Sequence, residues 1–227
     1  MRTWRPRLED SSLPNLTDCH IQSLMAPFMS DEVHRAVFRA DGDKAPGPDG
    51  FGLLFYQHFW SILKDDIMQV FEEFQKEGKG MGCLNASIFI LIPKKEGAES
   101  IGKFGPICLV NGGYMLVAKV MAARLKFACA DLIDDNQSAF LPGRSLQEGF
   151  TFSQEIISSL HKNRRRGAIL KLGFSKAFNR FEWNFLFNIL ERHGFPPLWV
   201  KMLANCITMA KASVLVNGTA CGFFPIN

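Results

Sequence analysis

Two kinds of residue in this sequence could act on a polyanion or a metal: clustered cations and scattered carboxylates. Lys162 followed by Arg164, Arg165 and Arg166 is the densest charge block, and Lys94 and Lys95 follow directly on an apolar run. Ammonium and guanidinium groups in such blocks suit phosphate, although the same pattern also fits a solvated loop. The carboxylates Asp31, Asp65, Asp131 and Glu182 have no metal-ligand spacing and read as helix caps or solvated charges. Cys19, Cys83, Cys108, Cys129, Cys206 and Cys221 are widely scattered, so they read as free, reduced thiols rather than a zinc or redox motif. The five histidines form no cluster. Zinc and Cys–His chemistry therefore find no support, and no Walker loop, dinucleotide fingerprint or nucleophile elbow occurs.

The rest of the composition is that of a protein able to hold such groups in place. With 227 residues, 47% hydrophobic and 21% charged, the chain can bury a sizeable core. A net charge of +4 and a pI near 8.8 suit an acidic partner without demanding one. Residues 1–7 are basic, but Glu9, Asp10 and Asp18 follow where a signal peptide needs an apolar core. No stretch approaches the roughly 20 apolar residues that span a bilayer. A soluble intracellular protein with no membrane partner is expected, with nuclear or cytoplasmic location and oligomeric state left open.

The elements that must position these residues can be read from periodicity. Ser30-Asp31-Glu32 predicts a helix start, and Val33, Ala36, Val37 and Ala40 give its apolar stripe until Asp41-Gly42. Lys44-Ala45-Pro46-Gly47-Pro48-Asp49-Gly50 dictates tight turns. Apolar residues from Leu54 to Phe74 recur at three and four, predicting one or two amphipathic helices. Residues 87–93 predict a buried strand ended by proline, followed by the basic loop at Lys94 and Lys95. Helices are predicted over about 114–131, with Leu116, Val117, Val120, Met121, Leu125 and Ala128 facing a core and Lys119, Arg124 and Lys126 around it, and over about 146–161. A strand is expected at 168–172, a helix through Trp183 to Arg192, another over about 198–209, and a strand at 212–216. That strand ends in Asn217-Gly218, a strong hairpin signal, with its partner expected from Cys221. Mixed elements with no repeat and no linker predict an α+β domain in which helices cover a small sheet.

Several segments in a fixed order carry a resemblance. Arg5-Pro6-Arg7-Leu8, Ala26-Pro27-Phe28 and above all Asp43-Lys44-Ala45-Pro46-Gly47-Pro48-Asp49-Gly50-Phe51 lead into Leu91-Ile92-Pro93-Lys94-Lys95. Phe104-Gly105-Pro106-Ile107-Cys108-Leu109-Val110-Asn111, Ala118 to Leu125, and Gln137-Ser138-Ala139-Phe140-Leu141-Pro142-Gly143-Arg144 follow. The last are residues 170–180, with Gly173-Phe174-Ser175-Lys176-Ala177-Phe178-Asn179, and Val214-Leu215-Val216-Asn217-Gly218. In this order the chain, from about Arg5 onward, resembles the reverse transcriptases of plant LINE-type (non-LTR) retrotransposons.

That resemblance implies a right-hand polymerase of which fingers and part of the palm are present: a leading extension at 1–30, then a partial reverse transcriptase domain at 31–227, with fingers at about 31–165 and the start of the palm at about 166–227. It implies RNA-templated DNA synthesis with Mg2+, and as partners an RNA template, an RNA–DNA hybrid and deoxynucleoside triphosphates. Lys94, Phe174 and Phe178 match nucleotide-binding positions of the family, with Phe178 at the aromatic gate against a ribose 2′-hydroxyl. Gln137 and Arg144 match template-side positions. The departures fall on charge. The family's first metal-binding aspartate corresponds to Gly173, its triphosphate-clamping arginine to Gly105, and a further aspartate to Asn179. The later paired-aspartate hairpin and the nucleotide-pocket segment before it are missing. The expectation is thus a fragment with no catalytic or metal-binding residue retained, and no productive Mg2+ binding. The alternatives are a non-catalytic binder of RNA or RNA–DNA hybrid and a non-functional product.

Overall fold

A computed structural model describes residues 13–137, 139, 141, 143–174 and 180–226. The chain divides into two compact units, one of residues 1–21 with 125–195 and one of residues 22–124 with 196–227.

The second unit holds the sheet. Strand β1 (Ala86–Pro93) pairs antiparallel with β2 (Phe104–Val110) from Ser87↔Val110 to Pro93↔Phe104. On its other side β1 runs parallel to β3 (Lys211–Val216), from Ala86↔Lys211 to Phe89↔Val214. A parallel partner so distant in sequence requires a crossover, and helices in the intervening chain supply it. The expected buried strand is half-buried, since its last three residues are exposed where it enters the basic loop.

After β3 the chain turns on Asn217 (φ 50°) and Gly218 (φ 81°). Two successive positive φ values define the tight hairpin turn whose twist matches the strands. The return strand β4 (Thr219–Ala220) therefore begins at once, two residues before the expected Cys221, pairing Val216 with Thr219. Gly222 (φ 65°) then interrupts it, and β5 (Phe224–Pro225) rejoins β3 at Lys211 and Ala212.

The helices of this unit follow the apolar spacing. Of the described helices, α1 (Asp18–Met25) was not expected, whereas α2 (Ser30–Phe38) buries Val33 and Val37 as its stripe dictates. The region from Leu53 forms two helices, α3 (Leu53–His58) and α4 (Trp60–Glu77). Gly78 ends α4 in the left-handed conformation, its N–H donating to the Phe74 carbonyl at 2.8 Å. A short α5 (Met81–Leu84) precedes β1, and α6 (Gly112–Cys129) follows β2. Val37, Ala40, Leu53 and Leu116 form one buried cluster, against which Tyr56, Trp60 and Met115 pack.

Arg124 departs from its expected place around the stripe of α6: it is buried, with 7% of its surface exposed. Its guanidinium donates to both carboxylate oxygens of Glu32 at 2.8 and 2.7 Å and to the carbonyls of Leu24, Ala26 and Pro27. It also lies 4.1 Å from the centre of the Phe28 ring. Only a guanidinium has enough donors, in a flat enough array, to satisfy this set.

The turn-rich segment is fixed by close approach. A Cβ on Gly47 would lie 2.4 Å from the backbone of Val110 and Asn111, so no side chain fits there. Asn111, at the end of β2, accepts the Asp49 N–H and donates to the Leu84 carbonyl. The Pro-Gly run is thereby clasped to the β2–α6 junction.

In the first unit, α7 (Leu146–Lys162) starts at Ser145, whose hydroxyl accepts the Gln147 N–H, and α8 (Trp183–Arg192) lies close to the expected span. The last helix, α9 (Pro197–Thr208), belongs to the second unit and buries Trp199, Val200, Met202 and Cys206. The strand expected at 168–172 is not formed: the segment has no regular structure, and Leu170 is 81% exposed. A strand exists through its ladder partners, and no ladder reaches this segment among the described residues.

Candidate nucleotide and template site

Lys94 sits one residue beyond β1, its N–H bonded to the Lys103 carbonyl across the hairpin at 2.9 Å and its side chain exposed. Gly105 lies opposite Ile92 on β2, and a Cβ there would stand 3.6 Å from Cε of Lys94. The hairpin thus sets position 105 beside Lys94, with ordinary van der Waals room for a side chain there. Both belong to the unit that contains the sheet.

The remaining site residues lie in the other unit. Gln137 and Arg144 are brought together, because Nη1 of Arg144 donates to the Gln137 carbonyl at 2.8 Å. Arg144 also donates to the carbonyls of Ile133 and Asp134 and to the Asp135 carboxylate. Four of its five N–H donors thus close the loop at 133–137, and an incoming phosphate would have to compete for them. Sequence reading placed Arg144 at the template side, but could not show that its fork is turned inward. Beside it, Lys126, Phe127, Ala130 and Leu141 complete a shallow hollow of about 250 Å³.

Phe174 is 80% exposed, and Gly173 has nothing within 4 Å of a Cβ built on it. Phe178 and Asn179 lie outside the described residues, so their expected roles rest on sequence. Asp131, read as a solvated charge, is 70% exposed, and its carboxylate also lies 3.2 Å from Nε2 of the buried His20. Nδ1 of the same ring accepts the Thr17 N–H at 3.3 Å and lies 3.0 Å from the Thr17 hydroxyl oxygen. That pairing is long-range in sequence and carried no local signal.

Mg2+ needs converging oxygen ligands, chiefly carboxylates. Among the described residues no group of three or more His, Cys, Asp or Glu could hold a metal ion. Gly173 offers no side-chain oxygen. Two adjacent aspartate pairs exist elsewhere, but Asp65 and Asp66 lie exposed on α4. In the other pair, Asp135 is bound to Arg144, and Asp134 accepts the N–H and side-chain amide of Asn136, which with Arg144 hold its carboxyl below the usual range. Among the described residues, neither pair forms the converging set of carboxylates that a catalytic magnesium site needs. No described helix is long and apolar enough to cross a membrane.

The pattern of the family described as reverse transcriptase (RNA-dependent DNA polymerase) matches residues 92–226, from the end of β1 through β5. The chain belongs to the reverse transcriptase family.

It is similar to the transposon TX1 uncharacterized 149 kDa protein of Xenopus laevis, 31% identical over 90% of this chain and 16% of that protein. It is also similar to retrovirus-related Pol polyproteins from the type-1 retrotransposable element R2. The Bradysia coprophila protein is 26% identical over 82% of this chain and 21% of its own length. The one from Nasonia vitripennis is 23% identical over 78% of this chain and 16% of its own length. The chain thus spans about a fifth or less of the length of the curated relatives it matches.

Proposed function

We propose that this chain is a fingers and early-palm portion of a LINE-type, non-LTR retrotransposon reverse transcriptase, and that as it stands it does not polymerise DNA. The family assignment and the transposon relatives support the first half. One observation carries the second: Gly173 stands where the family's first metal carboxylate belongs, and no Asp or Glu occurs between Glu155 and Glu182. Losing a charged ligand from a metal site removes several kcal/mol of transition-state stabilisation, on the order of a thousandfold or more in rate.

In this reading the fingers run to about residue 165 and the palm begins at about 166. Lys94 takes the role of a triphosphate-contacting lysine, Phe174 offers its backbone to a metal or nucleotide, and Phe178 is the aromatic gate against a ribose 2′-hydroxyl. Gln137 faces an RNA template, and Arg144 sets the loop that presents it. A second reading, a non-catalytic holder of RNA or RNA–DNA hybrid, draws support from the exposed cations at 162–166. A product without biochemical role is the third.

Primer extension on an RNA template with Mg2+ tests the proposal. This chain is compared with one lengthened through the palm motifs of the family and carrying Gly173→Asp, a change for which the backbone leaves space. The unmodified chain is expected to extend nothing, and the rebuilt one to extend primers. Extension by the unmodified chain would show that other carboxylates bind the metal.

A further inference from the structure

We infer that the turn at residues 162–166, with Lys171 beyond it, is a binding surface for the phosphate backbone of single-stranded RNA that needs no metal ion. The inference rests on the reverse-transcriptase reading for its choice of RNA, and on this chain's own charge for the site.

Between Glu155 and Glu182 lie seven of the 26 lysines and arginines and none of the 22 acids: Lys162, Arg164, Arg165, Arg166, Lys171, Lys176 and Arg180. The rest of the chain holds 19 cations against 22 acids, a net charge of −3. The whole excess of positive charge is therefore concentrated in one stretch. Lys162, Arg164, Arg165, Arg166 and Lys171 are all exposed and form no ion pair among the described residues. Their charge is not neutralised within the protein, which is the condition for releasing counterions from a nucleic acid.

The turn is also built to hold these side chains. Beyond the end of α7, the Arg165 N–H donates to the Leu160 carbonyl at 2.9 Å and the Arg164 N–H to His161 at 3.1 Å. Arg164 occupies the left-handed position of this cap, at φ 49°. Glycine is the residue that fits such a position without strain, so the arginine there is costly to the fold. Cations near a helix C-terminus do complement its dipole, but that effect fades within one turn and does not extend to Lys171.

Single strands suit this surface better than a duplex, because Leu172 and Phe174 stand exposed one and three residues beyond Lys171. An aromatic face beside a cationic backbone groove is how unpaired bases are held without sequence preference. An anionic bilayer is the competing partner, since it also accepts cations flanked by apolar side chains.

The test is fluorescence anisotropy of the full chain with a labelled oligouridylate in EDTA, at salt from about 50 to 200 mM. With four or five phosphates engaged, the logarithm of affinity falls against log salt with a slope of about −3. Replacing Arg164, Arg165 and Arg166 together by Gln lowers that slope by about 2 and weakens binding on the order of 50-fold at about 0.15 M salt. Arg164→Gly separates binding from folding: it raises the melting temperature, since glycine fits the turn, while weakening binding about fourfold. Gly173→Asp, a carboxylate inserted among the cations, also weakens binding in EDTA.

The inference is overturned if the unmodified chain ignores RNA, if it needs Mg2+, or if the triple variant binds as tightly as the original. It is equally overturned if phosphatidylserine vesicles are bound and RNA is not. None of these outcomes bears on primer extension by the rebuilt enzyme, so the two readings fail separately.

Discussion

All five N–H donors of Arg124 are engaged inside the protein, two on Glu32 and three on carbonyls between Leu24 and Pro27, with Phe28 against its flat face. Those carbonyls lie in the last turn of α1 and in the link from it to α2, where the helix ladder has run out, so the arginine substitutes for secondary structure. Arg124→Met keeps the packing volume but removes the side-chain donor from the Leu24 and Pro27 carbonyls, Ala26 keeping that of Gln75, and leaves the Glu32 carboxylate, 19% exposed, without its cation. Breaking such a pair from one side costs about 3–5 kcal/mol. Arg124→Lys should recover only a minor part, because an ammonium cannot span a carboxylate and three carbonyls at once. Urea unfolding followed by far-UV circular dichroism reads both changes, and a loss for Arg124→Met no larger than an ordinary surface substitution would sink the assignment. None of this was legible in the sequence. Helical periodicity set Arg124 off the apolar stripe, and its partners lie about 90 residues upstream. By contrast Gly173, Gly105 and Lys94 are singled out by motif order alone, which proposes a position without knowing what touches it.

Between elements, α6 and α9 are joined by a polar contact inside apolar surroundings: the Tyr114 hydroxyl donates to the Cys206 carbonyl at 2.9 Å. The same carbonyl accepts the side-chain amide of Asn85 just before β1. Burial pushes both the Tyr114 phenol and the Cys206 thiol up to about 12, from ordinary values of 10.0 and 9.0. Each group therefore holds its proton more tightly in the folded chain than in the unfolded one. Their contribution is complete below about pH 9, declines as the unfolded chain ionises first, and is lost as pH rises through about 12. Stability should fall steeply between those limits, and Tyr114→Phe should flatten the phenol's part of the fall while costing the hydrogen bond at neutral pH. A stability profile level from pH 9 to 12 would contradict the burial of these groups. Thiol titration gives a second reading: Cys19, Cys83, Cys108 and Cys221 are exposed and Cys206 is buried, so only Cys206 should wait for denaturant among these five. The helices that carry this contact were legible because their apolar stripes are long. Strand β2 was not read as a strand, since Gly105 and Pro106 mask its β propensity, and the parallel β1–β3 pairing has no local signature at all. The failure at 168–172 has the opposite cause, a sequence with strand propensity but no ladder to join.

The two units of the molecule differ sharply in how much apolar surface they bury. Of the 22 buried apolar side chains, the unit of residues 1–21 and 125–195 contributes only Leu16, Ala128, Leu190 and Phe195 among its described residues. The longest helix wholly within it, α7, buries none of its residues and leaves Leu146, Phe150, Phe152 and Ile156 exposed. An isolated helix of this length is marginal in water, because its nucleation cost is recovered chiefly by packing an apolar face. The other unit has a paired sheet, an all-apolar cluster under α3 and the Arg124 network. Native-state hydrogen exchange should therefore split the chain in two. Amides of β1, β2 and the buried face of α6 should open only with global unfolding, while those of α7 exchange through local opening. A difference of about 3 kcal/mol in opening free energy, on the order of a hundredfold in protection, is expected between them. Because the cationic turn sits at the end of α7, bound RNA should raise protection in α7 and leave β1 unchanged, the response of a ligand that selects the ordered form of a weakly held element. Equal protection in the two units without ligand would mean that α7 is covered in solution by a surface the described residues do not supply, and would redirect attention from RNA to that surface.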